Sequence, residues 1–356
     1  MGLKANIAVL PGDGIGPEVV AEAMRALKFI AAKHQHEFTF DQWIVGGASI
    51  DAHGVPLTDE TLEAARKADA ILFGAVGGPK WDNAPVRVER GLLTLRKELG
   101  LYANLRPVKT YPALAHASPL KDEKLKGVDM LVLRELTGGL YYGQPRGRTK
   151  TDGGIRVVDT LAYTDVEIRR IVDLGFRLAQ GRRCHLTSVD KSNVLESSRL
   201  WREIALEVAQ DYPDVVLAHQ LADSCAMRLI QFPAEFDVIV TENMFGDILT
   251  DEAGVLTGSL GMLPSASLGD SRRGLYEPIH GTAPDIAGKG IANPIGAILS
   301  AALLLRYSLK LEGEARAIES AVDGAIEAGY RTADIVPRGE KSASKREKAD
   351  AIIGRL

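Results

Sequence analysis

The stretch FDVIVTENMFGDILTDEAGVLTGSL, residues 236–260, predicts a buried strand that leads into a helix carrying two carboxylates. The apolar, β-branched run 237–240 is typical of a strand, and the apolar spacing after Asn243 is typical of a helix. Asp247 and Asp251 stand four residues apart, so their side chains share one helix face and can converge on one hard divalent cation. As a plainer alternative, acids near a helix start only complement its macrodipole. The apolar surroundings favour the metal, because a buried unpaired carboxylate is costly unless a cation neutralises it.

Length and composition limit the classes of protein to which the chain can belong. Its 356 residues are enough for two lobes, or for one large domain with an insertion. A hydrophobic content of 46% and a charged content of 25% are ordinary for a soluble globular enzyme. The formal net charge of −4 argues against nucleic acid or a membrane as the main partner, so a cluster of arginines would have to hold an anionic substrate. With two cysteines, no signal peptide and no apolar run of transmembrane length, we expect a cytoplasmic protein.

A glycine-rich turn, PGDGIGPE at residues 11–18, follows a short apolar strand and precedes a helix predicted to begin near Pro17. The spacing of Gly12, Gly14 and Gly16 is G-x-G-x-G, whereas the dinucleotide-binding fingerprint is G-x-G-x-x-G. A simple turn between a strand and a helix therefore explains these glycines at least as well as a nucleotide site.

Strand-like and helix-like runs alternate along the chain, which predicts an α/β protein with ligand-binding loops at the strand ends. The opening segment and the apolar helix predicted at 295–305 look like parts of one lobe. We therefore predict a first lobe of residues 1–101 and 258–356, with a second lobe, residues 102–257, inserted in it. The charged run 338–350 is predicted to be a solvated C-terminal helix.

Polar side chains of catalytic type stand at the ends of several other predicted elements. These are three arginines, a tyrosine, a lysine and a third aspartate: Arg96, Arg106, Arg134, Tyr141, Lys191 and Asp223. Arginine binds carboxylates bidentately, so three arginines suggest a substrate with two carboxylates. Tyr141 and Lys191 are a candidate acid and base, although such residues more often serve packing or the surface. A helix is predicted over 163–180, and Lys191 is predicted to enter the next one.

Several long motifs, in the same order, resemble those of the β-decarboxylating dehydrogenases, the family of isocitrate and isopropylmalate dehydrogenases: PGDGIGPE, GLLTLRKELGLYANLRP, RELTGGLYYGQPRG, VDKSNVLESSRLW, TENMFGDILTDEAG and HGTAPDIAGKGIANP. The resemblance covers essentially the whole chain. It implies the isocitrate/isopropylmalate dehydrogenase-like α/β fold, two lobes with the second inserted in the first, which is not a usual Rossmann fold. It also implies a homodimer with NAD and Mg²⁺ or Mn²⁺ as cofactors. The second lobe would then carry the metal and the dimer contacts, and the first the cofactor.

The implied reaction is oxidative decarboxylation of (2R,3S)-3-isopropylmalate to 4-methyl-2-oxopentanoate and CO₂ in leucine biosynthesis. A related 2-hydroxy diacid, such as tartrate, malate, homoisocitrate or isocitrate, is the alternative substrate. A non-catalytic regulatory subunit is a second class of function, but it would be expected to lose the tyrosine, the lysine or a metal acid. A metal-dependent phosphotransferase is a third, and the chain lacks the P-loop pattern for it.

Roles for individual residues follow from the same resemblance. The implied substrate contacts are Arg96, Arg106, Arg134, Asp223, Leu92, Leu93 and Val194. The implied metal ligands are Asp223, Asp247 and Asp251. Lys191 would help to remove the C2 hydroxyl proton and Tyr141 to reprotonate the enolate, with Lys191 and Asp223 reaching in from the partner subunit. Leu92 and Leu93 precede Arg96 on one helix turn and would form an apolar wall for the isopropyl group.

The implied cofactor-binding residues are Gly77, Gly78, Glu89, His280, Gly281, Ala283, Asp285, Ile286 and Asn293. Asp285 can accept hydrogen bonds from both adenosine ribose hydroxyls and would repel a 2′-phosphate, which predicts NAD over NADP. Lys289 is the nearby cation that would oppose this preference. A helix cap before Ile286 is the alternative role for Asp285.

Three positions depart from the family pattern: Ala222, Gly254 and Thr257. They lie beside the predicted ligands but are not ligands themselves. We expect them to affect packing and helix flexibility more than chemistry.

Overall fold

The computed structural model describes residues 2–356, in which strands and helices alternate. The strands are β1 (Lys4–Gly12), β2 (Glu37–Gln42), β3 (Ala70–Ala75), β4 (Ala103–Lys109), β5 (Asp129–Glu135), β6 (Gly147–Thr151), β7 (Gly154–Val158), β8 (His185–Asp190), β9 (Val216–Leu221), β10 (Val238–Thr241), β11 (Pro264–Leu268) and β12 (Gly274–Pro278). The helices are α1 (Gly16–His34), α2 (Gly47–His53), α3 (Asp59–Lys67), α4 (Arg90–Glu98), α5 (Asp122–Leu125), α6 (Asp165–Gln180), α7 (Glu196–Ala209), α8 (Ala222–Gln231), α9 (Asn243–Gly254), α10 (Ile295–Tyr307), α11 (Glu312–Glu327) and α12 (Lys345–Ile353).

Two compact units make up the chain. The first comprises the residues up to Leu101 together with Tyr111–Pro119 and Thr257–Leu356, and the second comprises Tyr102–Thr110 and Leu120–Leu256. The segment Tyr111–Pro119 lies within the predicted second lobe but groups with the first unit. Within that unit, the His116 ring lies 3.1 Å from the carbonyl oxygen of Ile335.

The first unit contains five strands in the order β2-β1-β3-β12-β11, all parallel except that β11 runs antiparallel to β12. Helix α10 is apolar on all sides, and its residues 295–305 are all buried, as expected for a helix that fills a core. Because β1, β3 and β12 are parallel, the loops that follow them emerge at one edge of the sheet. Gly12 at the end of β1 is in register with Ala75 at the end of β3.

The second unit also has five strands in its sheet, in the order β4-β5-β10-β8-β9, with only β4 antiparallel to its neighbour. The carboxyl ends of its four parallel strands therefore share one edge. They lead to the turn containing Tyr141, to α9, to Lys191 and to Asp223. A separate hairpin of β6 and β7 is exposed along almost its whole length.

Helix α9 begins as predicted, but its acids lie deeper in the helix than its first turn. Glu242 caps the helix by accepting hydrogen bonds from the amides of Met244 at 3.2 Å and Phe245 at 2.8 Å. The first turn contains no acid, so Asp247 and Asp251 fall in later turns. The macrodipole alternative is therefore wrong, because that effect fades beyond the first turn.

Two helix starts differ from the prediction, the first because of a capping box and the second because a turn precedes the helix. Thr164 and Glu167 form a capping box, so α6 begins at Asp165 rather than at residue 163. Lys191 does not enter a helix; it lies in a turn in which its carbonyl accepts from the amides of Val194 and Leu195, before α7 starts.

The C-terminal charged run is also partly mispredicted. Ser344 and Glu347 form a capping box that starts α12 at Lys345, so residues 338–343 are not helical. The helix is not simply solvated, because Lys348 is completely buried.

The departures from the family pattern lie at element ends. Ala222 begins α8 and Gly254 ends α9, while the Thr257 hydroxyl donates to the carbonyl oxygen of Ser259 at 3.0 Å. No helix within residues 2–356 combines the length and the apolarity needed to cross a membrane.

Candidate active site

In the second unit, three of the predicted side chains converge on the half-buried carboxylate of Asp247. Arg134 donates to Oδ1 through Nη1, and the Tyr141 hydroxyl donates to Oδ2 at 2.8 Å. Arg106 places Nη2 3.8 Å from Oδ1, and its Nη1 lies 3.5 Å from a carboxylate oxygen of Asp251. Two arginines, a tyrosine and two aspartates therefore form one cluster, which we call the arginine–aspartate cluster.

Within this cluster, the surroundings favour the ionised form of Asp247 and the protonated form of Tyr141. Burial opposes ionisation of Asp247, but Arg134, Tyr141 and Arg106 outweigh it and hold the pKa of this carboxyl below its usual value. Burial and the hydrogen bond to Asp247 raise the pKa of Tyr141 to about 12. Tyr141 is therefore a protonated donor beside an ionised acceptor. The guanidinium groups of Arg134 and Arg106 neutralise Asp247, so its burial does not by itself require a metal.

Both arginines are held by neutral side chains that the sequence analysis did not single out. Asn243 accepts from Nε of Arg134 at 3.0 Å and from Nη2 at 2.8 Å. Asn104 accepts from Nε of Arg106 at 2.7 Å, and the Thr250 hydroxyl accepts from its Nη1. Asn243 and Thr250 lie four residues before and three after Asp247 on α9, the spacing of one helix face, which was the available signal.

Gly246 makes room for this arrangement. A Cβ atom at this position would lie 2.6 Å from Cγ of Arg134, closer than two carbon atoms can approach. The Arg134 side chain therefore crosses α9 at the one residue of that turn without a side chain.

Lys191 and Asp223 form a separate pair, with Nζ 2.7 Å from Oδ1. The hydrogen bond from Lys191 lowers the pKa of Asp223, whose side chain is 64% exposed. Within residues 2–356, no three His, Cys, Asp or Glu side chains are grouped so that they could hold a metal ion. Asp223 therefore does not complete a metal site with Asp247 and Asp251 inside one chain. Val194, close to Lys191 in sequence, is 63% exposed.

The predicted substrate residues of the first unit lie on α4. Arg96 is nearly buried and forms an ion pair of 2.7 Å with Glu277 on β12, a partner that the sequence analysis did not single out. Leu92 packs against the core cluster that contains Leu95, so core packing is enough to explain an apolar residue at this position. Leu93 is half-buried.

The predicted cofactor residues occupy the loops at the carboxyl edge of the first unit's sheet. Gly77 and Gly78 follow β3, and Oε1 of Glu89 lies 3.6 Å from the place a Cβ of Gly77 would occupy. His280 to Ala283 follow β12. Ala283 has a left-handed φ of 38°, which is uncommon for a residue other than glycine and occurs preferentially at ligand-binding sites.

His280 and Asn293 are fixed within this edge. The Nδ1 atom of His280 lies 2.8 Å from the carbonyl oxygen of Gly281, and burial lowers the pKa of the ring. In the described part of the chain, its Nε2 is buried with no hydrogen-bond partner, which suits a bound polar ligand. Asn293 accepts from the amide of Ile295 at 3.1 Å and donates to Asp334 at 3.0 Å.

Asp285 and Ile286 lie in a run of turns. The amide of Ile286 donates to the carbonyl of Ala283, and no helix starts there. The helix-cap alternative for Asp285 is therefore wrong. Its carboxylate is exposed, as is Lys289.

Comparison with known proteins identifies the family to which the chain belongs. The family model described as isocitrate/isopropylmalate dehydrogenase matches residues 6–352. The chain is 63% identical to the 3-isopropylmalate dehydrogenase of Anaeromyxobacter dehalogenans, over 99% of this chain and 100% of that protein. It is 60% identical to the 3-isopropylmalate dehydrogenase of Heyndrickxia coagulans, over 99% and 97%.

Solved structures show the same fold. An isocitrate dehydrogenase from Methylococcus capsulatus superposes with a TM-score of 0.87 at 33% identity and covers 99% of both chains. A β-decarboxylating dehydrogenase from Thermococcus kodakarensis, in its apo form, superposes with a TM-score of 0.80 at 39% identity, covering 99% of this chain and 96% of that one. Fold and site together define an α/β oxidoreductase. The chain belongs to the isocitrate/isopropylmalate dehydrogenase family.

Proposed function

We propose that this enzyme oxidatively decarboxylates 3-isopropylmalate, with NAD as hydride acceptor, in leucine biosynthesis in the cytoplasm. The observation that carries the proposal is the arginine–aspartate cluster, in which Arg106 and Arg134 face carboxylates beside the protonated Tyr141. The two relatives at 63% and 60% identity that are named for this reaction support the choice of substrate.

The arginines supply the binding of the diacid. Arg134 already donates to a carboxylate, that of Asp247, and Arg106 is directed at the same group. A guanidinium presents donors in a rigid fork that matches carboxylate geometry, so a substrate carboxylate is a natural ligand for either residue. Arg96, on the first unit, is the third predicted contact, held in place by Glu277.

The donor set fits a hard divalent cation. Asp247 and Asp251 each lie within 4 Å of the same guanidinium of Arg106, so their carboxylates face one region of space. Carboxylate oxygens are the ligands that Mg²⁺ and Mn²⁺ prefer. We propose that a homodimer completes the set, with Asp223 of the partner subunit as the third acid and Lys191 of the partner subunit beside it.

Bound NAD would accept the hydride from C2, and a bound cation would polarise the C2 hydroxyl and the enolate oxygen left when CO₂ departs. The side chains supply the proton transfers. Lys191 of the partner subunit would help to remove the hydroxyl proton of C2 through water. Tyr141, whose pKa is raised to about 12, keeps its proton at neutral pH and delivers it to C3 of the enolate.

The first unit would hold the dinucleotide. The unpartnered buried Nε2 of His280 and the left-handed Ala283 mark its loop as shaped for a ligand. Asn293 would lie near the adenine, and the exposed carboxylate of Asp285 would accept from the adenosine ribose.

The test is NADH or NADPH formation on a panel of 2-hydroxy diacids. We expect kcat/KM on 3-isopropylmalate to exceed that on isocitrate by about a thousandfold or more, because a third carboxylate would be desolvated against Leu93 with no cation to receive it. The chain superposes on an isocitrate dehydrogenase, so isocitrate is the competitor that matters. Comparable rates on isocitrate or tartrate would assign another substrate, and no turnover on any diacid would point to a non-catalytic subunit.

A further inference from the structure

Asp13 is a buried carboxylate in the PGDGIG turn that has no place in the reaction above. Its Oδ2 accepts from the amides of Gly47 at 2.7 Å and Gly77 at 3.0 Å, and its Oδ1 accepts from the amide of Ala48 at 2.8 Å. One side chain therefore joins the start of α2 to the Gly77–Gly78 segment. Charge-assisted hydrogen bonds of this kind are about twice as strong as neutral ones.

Close packing keeps that segment against α2. A Cβ on Gly46 would lie 2.5 Å from Oδ2 of Asp13, so only glycine permits this approach. A Cβ on Gly47 would lie 2.4 Å from the Trp81 ring and a Cβ on Gly78 3.2 Å from it. Nε1 of Trp81 donates to Asp51 of α2 at 3.1 Å. The loop after β3 is thus held at Gly77 and at Trp81.

The same turn also holds the loop after β12. The amide of Ile15 donates to the carbonyl of Thr282 at 2.9 Å, and a Cβ on Gly14 would lie 2.1 Å from that oxygen. The PGDGIG turn therefore contacts both segments to which cofactor residues are assigned, one through the Asp13 side chain and one through its backbone.

We propose that Asp13 is a positioning residue for the dinucleotide: it fixes the Gly77–Gly78 segment before the cofactor binds. This inference rests on the proposed function, because it takes those glycines to contact NAD. Presetting a loop in its bound conformation strengthens binding by removing the ordering cost from the binding step. Asp13 touches neither substrate nor cofactor in this role.

Asp13→Asn tests the proposal at constant size. An amide has only one acceptor oxygen, so its NH₂ group must face at least one of the three backbone N–H donors. We expect faster hydrogen exchange at the amides of Gly47, Ala48 and Gly77. The Kd for NAD, measured by calorimetry, should rise about tenfold or more, a loss of about 1.4 kcal/mol. The KM for 3-isopropylmalate should stay within about twofold, because the arginine–aspartate cluster is untouched.

Asp69→Asn is the matched control, since Asp69 accepts one backbone hydrogen bond, from Asn6 at 2.7 Å, in the same unit but at an exposed position. It should leave the Kd for NAD unchanged. NAD binding by Asp13→Asn equal to that of the wild type would overturn the inference, as would an equal loss in every kinetic parameter together with a lowered melting temperature. A wild-type protein that binds no NAD would instead overturn the proposed function, and this inference with it.

Discussion

Lys348 shows how one buried side chain couples stability to pH. It is fully buried on α12, its Nζ donates to the carbonyl of Tyr330, and burial lowers its pKa to about 7. The charged groups around it are Asp334, which favours the ammonium, and Arg331 and Arg355, which oppose it. Because the unfolded chain holds the proton up to a pKa near 10.4, the unfolded state binds more protons between the two values.

The free energy of unfolding should therefore rise with pH from about 7 to 10, with Lys348 contributing a slope of up to about 1.4 kcal/mol per pH unit. Lys348→Met removes that contribution. In denaturant titrations, the free energy of unfolding of the variant should exceed that of the wild type by more at pH 7 than at pH 9.5. Lys345→Met is the control, since Lys345 lies on the same helix in an ion pair with Glu18 at 3.3 Å. A pH slope unchanged by Lys348→Met would show that Lys348 is charged in the folded protein.

Cofactor choice can also be tested at a single residue, Asp285. Its carboxylate is exposed in a turn, so a substitution there should not disturb the core. We expect wild-type kcat/KM to favour NAD over NADP by at least about tenfold, or 1.4 kcal/mol, because a 2′-phosphate would face a like charge. Asp285→Lys should lower kcat/KM with NAD and so reduce the ratio of kcat/KM with NAD to that with NADP. Lys289→Ala should leave the preference for NAD in place. A wild-type ratio below tenfold would remove this role from Asp285.

Helix α9 is the element on which the chemistry depends. Glu242 caps it, Asn243 orients Arg134, and Asp247 and Asp251 are two of the three predicted metal acids. Burial of its apolar face, with Leu249 and Ala253 fully or almost fully buried, holds the helix in register against the sheet. A substitution on its polar face should therefore affect ligand binding without unfolding the element.

Asp247→Asn tests this at constant shape. We expect it to lose Mn²⁺ binding by calorimetry and at least about 99% of activity, since charge stabilisation by a metal is worth several kcal/mol. The variant should stay folded, but its melting temperature should fall, because Arg134 and Arg106 lose the carboxylate that neutralises them. Glu252→Gln is the control, because Glu252 lies on α9 next to Asp251 but off the helix face that Asp247 and Asp251 share. It should keep Mn²⁺ binding and activity. Normal turnover by chelator-treated wild type without added divalent cation would show that the metal assignment is wrong.

The distribution of residues over the whole molecule predicts active sites shared between subunits. Lys191 and Asp223 pair with each other, while Tyr141 belongs to the arginine–aspartate cluster of the same chain. In a mixed dimer of Lys191→Ala and Tyr141→Phe subunits, one site should collect both defects and the other should be intact. A random mixture contains mixed dimers as about half of all dimers, so about a quarter of wild-type activity should return.

Activity of the mixture should be compared with that of each variant alone, which ought to be low. Wild type mixed with Lys191→Ala serves as the control for subunit exchange. If the two variants exchange subunits but recover no activity, Lys191 and Tyr141 act from the same chain, and the shared-site proposal fails.

Much of the architecture followed from local pattern. The strand and helix around Asp247 and Asp251 and the buried helix near residue 300 were predictable, because apolar periodicity reflects contacts between residues three or four apart. The motif resemblance predicted the family that the comparisons then confirmed.

Other features depend on residues far apart in the chain. The pairing of Arg134 with Asp247, the three amides held by Asp13 and the burial of Lys348 join segments separated by 18 to 113 residues. Local periodicity does not indicate which side chains will be in contact across such distances. Tertiary contacts determine the burial and the pKa of these groups, so only the folded structure showed them.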